Sequence, residues 1–222
     1  MSEPFDWRTW RRGMRRDLIA VRRALPASER AARNTAIDEQ LEMGFAPVAG
    51  HTVAFCWPVA AEPEPRFAVR RWRAGGSVAA LPEVVGRGQS LAFRVWWPGV
   101  TMTPGVYDIP VPQDTERVTP AVALVPVNGF DGAGYRLGYG GGYFDRTLAA
   151  LPQRPLCIGL GYEFARLPTI HPQMHDIPFD FIVTEAGIES RRQQRLVAIE
   201  AEQAAREVAR RLAGLTGAGH ER

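Results

Sequence analysis

The sequence predicts an α/β fold. We expect a three-layer α/β/α arrangement with a mostly parallel central sheet, N-terminal helices and an extra C-terminal helix. Residues 121–127, AVALVPV, form a continuous apolar run, the pattern of a parallel strand covered on both faces. PLCIGLGY and DFIVTE share that character further along. Segments of helical periodicity lie between and before these runs, and strands alternating with helices imply stacked layers.

The elements follow in order. Residues 5–43 read as helical, because Trp7, Trp10, Met14, Leu18 and Val21 recur at spacings of three and four. Pro26 breaks the pattern, and Ser28 is the expected cap of a second helix ending near Met43. HTVAFCWP is a short strand closed by proline. Phe67, Val69 and Trp72 then mark a short helix that stops at Gly75. SVAALP reads as a buried strand and LAFRVW as a meander strand, while GVYDIPVPQ is a proline-rich loop unfit for the middle of a sheet. The glycine-rich stretch after 121–127 leads into the helix YFDRTLAAL. Residues 189–216 are expected to form a long helix packed through Val197, Ala201, Ala204, Val208, Leu212 and Leu215, with 217–222 frayed. We therefore expect one α/β unit over 1–188 and a helical extension over 189–222.

Composition narrows the function. At 222 residues, 45% hydrophobic and 23% charged, the chain suits a globular fold rather than disorder. A net charge of +3 suits an anionic ligand and is too mild to single out nucleic acid. All 27 basic residues are arginine. The absence of lysine excludes a Walker A loop, a protein-kinase site and Schiff-base chemistry. Cys56 and Cys157 lie far apart and read as reduced core thiols. The four histidines form no zinc pattern. No apolar run reaches 18 residues and no signal-peptide core opens the chain, so a soluble cytoplasmic protein without membrane contact is expected.

The chemistry concentrates in residues 128–146, NGFDGAGYRLGYGGGYFDR. Six glycines in eleven residues (132–142) sit between a buried strand and a helix. Glycine admits left-handed backbone, so successive N–H groups can turn inward as an anion-binding nest at a helix N-terminus. Arg136 adds a planar cation for phosphate oxygens, and Asp145 stands where a carboxylate could hold Mg²⁺. The spacing fails the dinucleotide pattern at Tyr143. Nine arginines fall in the first 33 residues. Arg11, Arg15 and Arg22 share a helix face that, read alone, is a solvated basic face. No serine or cysteine stands out as a nucleophile, which favours chemistry by positioning and electrostatics, such as phosphoryl transfer.

GYRLGYGGGYFDR resembles the signature of the 5-formyltetrahydrofolate cyclo-ligase family. The likeness extends over roughly 8–188, through the basic helix RRGMRRDLIAVRR, the strand and acid AFCWPVAAE, and the segment IGLGYEFARLPTIHPQMHDIPFDFIVTE. It implies ATP-dependent cyclisation of 5-formyltetrahydrofolate to 5,10-methenyltetrahydrofolate, releasing ADP and phosphate. In that reaction the formyl oxygen attacks the γ-phosphate to give an iminophosphate, and N10 then displaces phosphate. Both nucleophiles belong to the substrate, in keeping with the missing one here.

The resemblance also implies site residues. ATP would meet Arg11, Arg12, Gly13, Met14 and Arg15, then Arg136, Leu137, Gly138, Tyr139, Gly140, Gly141, Gly142, Tyr143 and Phe144. The reduced folate would meet Trp57, Glu62 and the stretch Tyr139–Tyr143, with the pterin stacked on one of Phe55, Trp57, Tyr107 or Tyr139. Arg136 and Tyr143 would be catalytic, and Asp145 and Asp176 would hold Mg²⁺. Departures from the family pattern at Glu64, Asp108, Val111, Phe144, Ala165 and Gln173 fall mostly on the folate side. They keep open an ATP-binding relative acting on another formyl or carboxyl compound. A sugar-phosphate isomerase or coenzyme A transferase on a similar sheet, and a nucleic-acid binder, are weaker alternatives. The expected partners are ATP and the reduced folate, with no specific nucleic acid, and the expected state is a monomer or weak dimer.

Overall fold

The structure, a computed structural model, describes residues 5–217. Asp6 accepts hydrogen bonds from the Arg8 and Thr9 N–H groups at 3.0 and 3.3 Å, so α1 (Trp7–Ala24) starts on a capped end. Leu25 is extended ahead of Pro26, as the residue before a proline prefers, and α2 (Ala27–Gly44) follows. Contrary to expectation, Ser28 does not cap α2. Pro26 holds the cap position without a side-chain bond, its ring already fixing the entry φ.

The chain continues through β1 (Thr52–Phe55), α3 (Arg66–Ala74), β2 (Val78–Glu83), β3 (Ala92–Trp96), β4 (Met102–Pro104), β5 (Pro110–Pro112), β6 (Val122–Pro126), β7 (Gly129–Asp131) and β8 (Arg136–Leu137). It ends with α4 (Tyr143–Ala150), β9 (Leu156–Leu160), β10 (Arg166–Leu167), β11 (Phe181–Thr184), β12 (Gly187–Arg192), β13 (Arg195–Ile199) and α5 (Ala201–Gly217). Eight strands form the main sheet in the order β3-β2-β1-β6-β9-β11-β12-β13. The run from β2 to β11 is parallel, and antiparallel strands close both edges. This is the expected mixed α/β architecture.

Side chains alternate between two cores. Val122 and Leu124 face one that includes Ile37 and Leu41 of α2, Val69 and Trp72 of α3, and Val208 and Leu212 of α5. Ala123 and Val125 face the other, with Leu148 of α4, Phe130 and Phe179. A period of two sends successive residues to opposite faces, and both faces are covered, which makes 121–127 apolar without a break.

Two expectations need correction. The GVYDIPVPQ segment is not only a loop: β4 and β5 pair as a short ribbon with Tyr107 and Asp108 at its tip. The tail is not helical from 189. Residues 187–199 form a β-hairpin that finishes the sheet, and the helix begins at Ala201. The hairpin turns at Gln193 and Gln194, both with positive φ, 46° and 66°. Such a turn normally announces itself with Asn or Gly, and glutamine gives no such signal. Val197 therefore lies half-exposed on β13 instead of on the helical stripe, whereas Ala204, Val208 and Leu212 enter the main core. Of the residues expected to fray, 218–222 lie outside the described residues.

Because Leu212 is 1% exposed within that core, Leu212→Ala should cost about 2–4 kcal/mol and lower Tm by on the order of 10 °C. Calorimetry or denaturant unfolding checks this. A loss within about 0.5 kcal/mol would mean that α5 is not part of the cooperative unit.

Candidate functional site

In sequence order the sheet grows from β1 outward to β2 and β3 on one side, then returns to β6 on the other. The switch point therefore lies between β1 and β6. Ligands of open α/β sheets sit beyond the carboxyl ends of the strands at such a point. Two segments leave there: residues 56–65 after β1, with Glu62, and residues 127–142 after β6, which carry β7, β8 and the glycines.

Helix α1 lies across these loops. Arg11, Arg15, Leu18 and Arg22 are spaced four, three and four apart and so share one face. The expectation of a solvated basic face fails here, since Arg11 and Arg22 are buried, at 8% and 3% exposure. Arg11 Nε donates to the Ile170 carbonyl at 2.9 Å, and Nη2 donates to the His171 carbonyl at 2.9 Å and to Asp176 Oδ2 at 2.5 Å. Arg15 Nε donates to the Gly138 carbonyl at 2.6 Å. Leu18 reaches under Gly129, where a Cβ would stand 2.9 Å from its Cδ1. Arg22 Nε donates to the Ala60 carbonyl at 2.9 Å and its Nη2 to the Tyr139 hydroxyl at 3.1 Å.

Arg15 differs electrostatically from Arg11, Arg22 and Arg136. Arg11 pairs with Asp176, Arg22 lies 3.8 Å from Glu62 and Arg136 pairs with Asp145, but Arg15 makes no ion pair among the described residues. Burial lowers its pKa, and the neighbouring Arg11 and Arg12 charges lower it further. The guanidinium lies 3.2 Å from where a Cβ at Gly140 would project. Gly140 has φ +93° and Gly142 φ +63°, so the loop is wound as only glycine winds easily. Gly142 caps α4 without a side-chain bond. A cation without a counter-ion, beneath a glycine loop and beside a helix N-terminus, is built for an anion.

The expected metal ligands and phosphate arginines meet each other. Arg136 is 6% exposed, stacks over Phe179 at 4.4 Å and donates from Nη1 to Asp145 Oδ1 at 3.0 Å. The same Oδ1 accepts the Ile177 N–H at 3.0 Å, which brings Asp145 beside the residue following Asp176. Burial works against ionisation of Asp176, but the Arg11 guanidinium and the Gln173 N–H outweigh it and hold its carboxyl below the ordinary range. Each of the two carboxylates is already engaged by an arginine, and no group of three or more acidic, histidine or cysteine side chains that could hold a metal ion occurs among the described residues.

On the other side of the glycine loop, Tyr139 donates its hydroxyl to Glu62 Oε1 at 2.6 Å. Glu62 Oε2 accepts the Val59 N–H at 2.9 Å. Glu62 is buried at 5% exposure, and burial pushes its pKa up despite Tyr139, Val59 and Arg22, which pull it down. Burial, followed by the Glu62 charge, also pushes the Tyr139 phenol up.

Other expected site residues divide. Arg12 is exposed and reaches the site only as a like charge beside Arg15. Gly13 and Met14 are half-buried on α1. Leu137 points into the interior and offers only backbone, its carbonyl accepting the Asn128 N–H at 2.8 Å. Phe144 packs on the core around Leu148. Gly141 uses its carbonyl to accept Arg146 Nη2 at 2.5 Å. Tyr143 Oη lies 3.3 Å from Tyr107 Oη, so the β4–β5 ribbon tip touches the glycine loop. Trp57 is half-buried against Trp96 and under the Arg66 guanidinium. Phe55, a candidate for pterin stacking, is excluded: it is 1% exposed and packed in the core against Trp96.

Sequence reasoning missed three residues. Arg22 looked like surface charge. Asp131 shapes the loop by accepting the Ala133, Tyr135 and Ile170 N–H groups, a role no spacing announces. Asn128 is buried at the root of the loop with neither amide atom hydrogen-bonded, and nothing in the sequence separates it from a turn residue.

Comparison with known proteins bears on the family and the fold. A curated 5-formyltetrahydrofolate cyclo-ligase from Mycoplasma pneumoniae is 36% identical over 62 residues, 28% of this chain and 37% of that relative's length. The solved structure of a 5,10-methenyltetrahydrofolate synthetase from Mycoplasma pneumoniae superposes with a TM-score of 0.65 at 23% identity, over 79% of this chain and 98% of the other. That of the Aquifex aeolicus 5,10-methenyltetrahydrofolate synthetase superposes with a TM-score of 0.71 at 25% identity, over 86% and 97%. The family model for 5-formyltetrahydrofolate cyclo-ligases matches residues 8–185, from the arginine face of α1 to the end of β11, and the chain belongs to that family.

Proposed function

We propose that the protein converts 5-formyltetrahydrofolate to 5,10-methenyltetrahydrofolate with turnover of ATP to ADP and phosphate. One observation carries the reading. Residues 138–140 hold a cation without a counter-ion on one side, Arg15 at Gly138 and Gly140, and a buried carboxylate on the other, Glu62 at Tyr139. A cation free to meet an anion and an acceptor for a donor-rich heterocycle thus share three residues. This is the layout required when a triphosphate and a second reactant must meet in line.

On this reading Arg15, the Gly138–Gly142 backbone and the α4 N-terminus bind the phosphates. Glu62 accepts hydrogen bonds from the pterin, and Tyr139 and Tyr143 border the reacting groups. Asp145 and Asp176 would hold Mg²⁺, which would shield phosphate charge. Their present partners, Arg136 and Arg11, would then be released toward the phosphates, so that charge balance is kept with and without nucleotide. The substrate supplies both nucleophiles. The protein contributes orientation and charge stabilisation.

Absorbance of methenyltetrahydrofolate, formed from 5-formyltetrahydrofolate and Mg-ATP, tests the reaction directly. Product that requires ATP is expected. Folded protein that binds Mg-ATP without forming product would move the assignment to another formyl or carboxyl substrate.

Arg15→Ala should raise the KM for ATP by about 10–100-fold, the loss expected for a charge-assisted contact, with Tm little changed. Steady-state kinetics with ATP varied checks this, and a wild-type KM would remove Arg15 from the phosphate site. Glu62→Gln should raise the KM for 5-formyltetrahydrofolate by about tenfold or more and leave that for ATP within about twofold. Equal losses for both substrates would assign Glu62 a purely structural role.

A further inference from the structure

The loop that carries Glu62 is strained. Ala60 and Ala61 both lie in the left-handed region, with φ of 50° and 61°, and neither is glycine. Two consecutive alanines stay there only when their surroundings hold them. The Arg22 guanidinium is one clamp, through the Ala60 carbonyl at 2.9 Å. The Tyr162 hydroxyl stands 3.4 Å from the Ala61 carbonyl but makes its shorter bond, 3.0 Å, to Asn34 Oδ1, which leaves Arg22 as the firmer hold on the turn. Within the loop, the Glu62 N–H returns to the Val59 carbonyl at 3.0 Å, while the Glu62 side chain accepts the Val59 N–H.

Arg22 acts on Glu62 twice more. Its Nη2 donates to the Tyr139 hydroxyl, which donates in turn to Glu62 Oε1, and the same Nη2 stands 3.8 Å from that oxygen. The Arg22 and Glu62 side chains are 4% and 1% exposed, so solvent screens this interaction little. With one bond to each carboxylate oxygen, Glu62 retains a free lone pair on both, provided that it is ionised.

We propose that Arg22 is a positioning residue for folate binding, holding the left-handed Ala60–Ala61 turn and the Tyr139 hydroxyl so that Glu62 presents its carboxylate to the pterin. The role rests on the cyclo-ligase reading. It extends the phosphate-facing row Arg11–Arg15 by two turns of α1 to the second substrate, so a single helix aligns both. The ionisable groups facing Glu62 are Arg22 from α1, Tyr139 from the glycine loop, Cys56 after β1 and Tyr162 after β9. Of these only Arg22 carries positive charge. Its removal therefore raises the pH at which Glu62 gains a proton, and the bound heterocycle loses its acceptor over a higher pH range.

The test compares Arg22→Met, Arg22→Lys and the wild type in the full chain. It measures KM for each substrate, the pH profile of kcat/KM for 5-formyltetrahydrofolate, and thermal protection by 5-formyltetrahydrofolate alone. Arg22→Met should raise the folate KM about tenfold or more, change the ATP KM less than about twofold, and move the acid limb of the profile to higher pH. Arg22→Lys keeps a charge without the fork that spans Ala60 and Tyr139, so it should leave the acid limb in place and raise the folate KM severalfold. Should Arg22→Met fail to fold, Arg22→Lys decides by its folate KM alone. A folate KM that stays at the wild-type value, or rises together with the ATP KM, overturns the positioning role while leaving the cyclo-ligase reading intact. A wild type with neither turnover nor protection by 5-formyltetrahydrofolate overturns that reading, and the role of Arg22 with it.

Discussion

A guanidinium stays charged wherever the chain puts it, and burying one without partners costs several kcal/mol. Helix α1 imposes that constraint on the loops at the carboxyl end of the sheet. Arg11 requires the Ile170 and His171 carbonyls and Asp176, Arg15 requires Gly138, and Arg22 requires Ala60 and Tyr139. Segments more than 100 residues apart in sequence are drawn to one helix face in this way, by arginines four and then seven residues apart. The sheet supplies the platform, and the arginine row sets where its loops stop.

The fold was legible where the physics is local or repetitive. Continuous apolar runs at 121–127 and in PLCIGLGY (155–162) required buried strands, and they became β6 and β9 of the parallel core. The misreadings have local causes. Gln193 and Gln194 adopt a turn that their residue type does not advertise, so the hairpin before α5 looked like more helix. Ser28 was a plausible cap displaced by the proline two positions earlier.

The site was legible by motif and less so by role. The glycine loop, Arg136 and Asp145 were picked out by type and spacing, whereas Arg11, Arg15, Glu62 and Asp176 came from the family resemblance; the fold sets Glu62 and the glycines at the switch point, the arginines on α1 and Asp176 between β10 and β11. The pairings stayed hidden, because ion pairs such as Arg11–Asp176 join positions 165 apart. Helical spacing put Arg22 on the right face but could not tell whether water or protein lay beyond it. A period of 3.6 describes a helix, not its neighbour.

The pairing pattern also separates the tasks of the arginines. Arg11 and Arg136 are already neutralised by Asp176 and Asp145, so an incoming anion must first displace an internal partner. Arg15 has no such competitor among the described residues. Ion pairs next to unpaired cations give the site a directional field. Net charge of the chain, +3, says almost nothing about this arrangement. Which arginines lack a carboxylate does: among the described residues neither Arg15, against Gly138, nor Arg146, against Gly141, has an ion pair, and that follows from the folded geometry around residues 138–142.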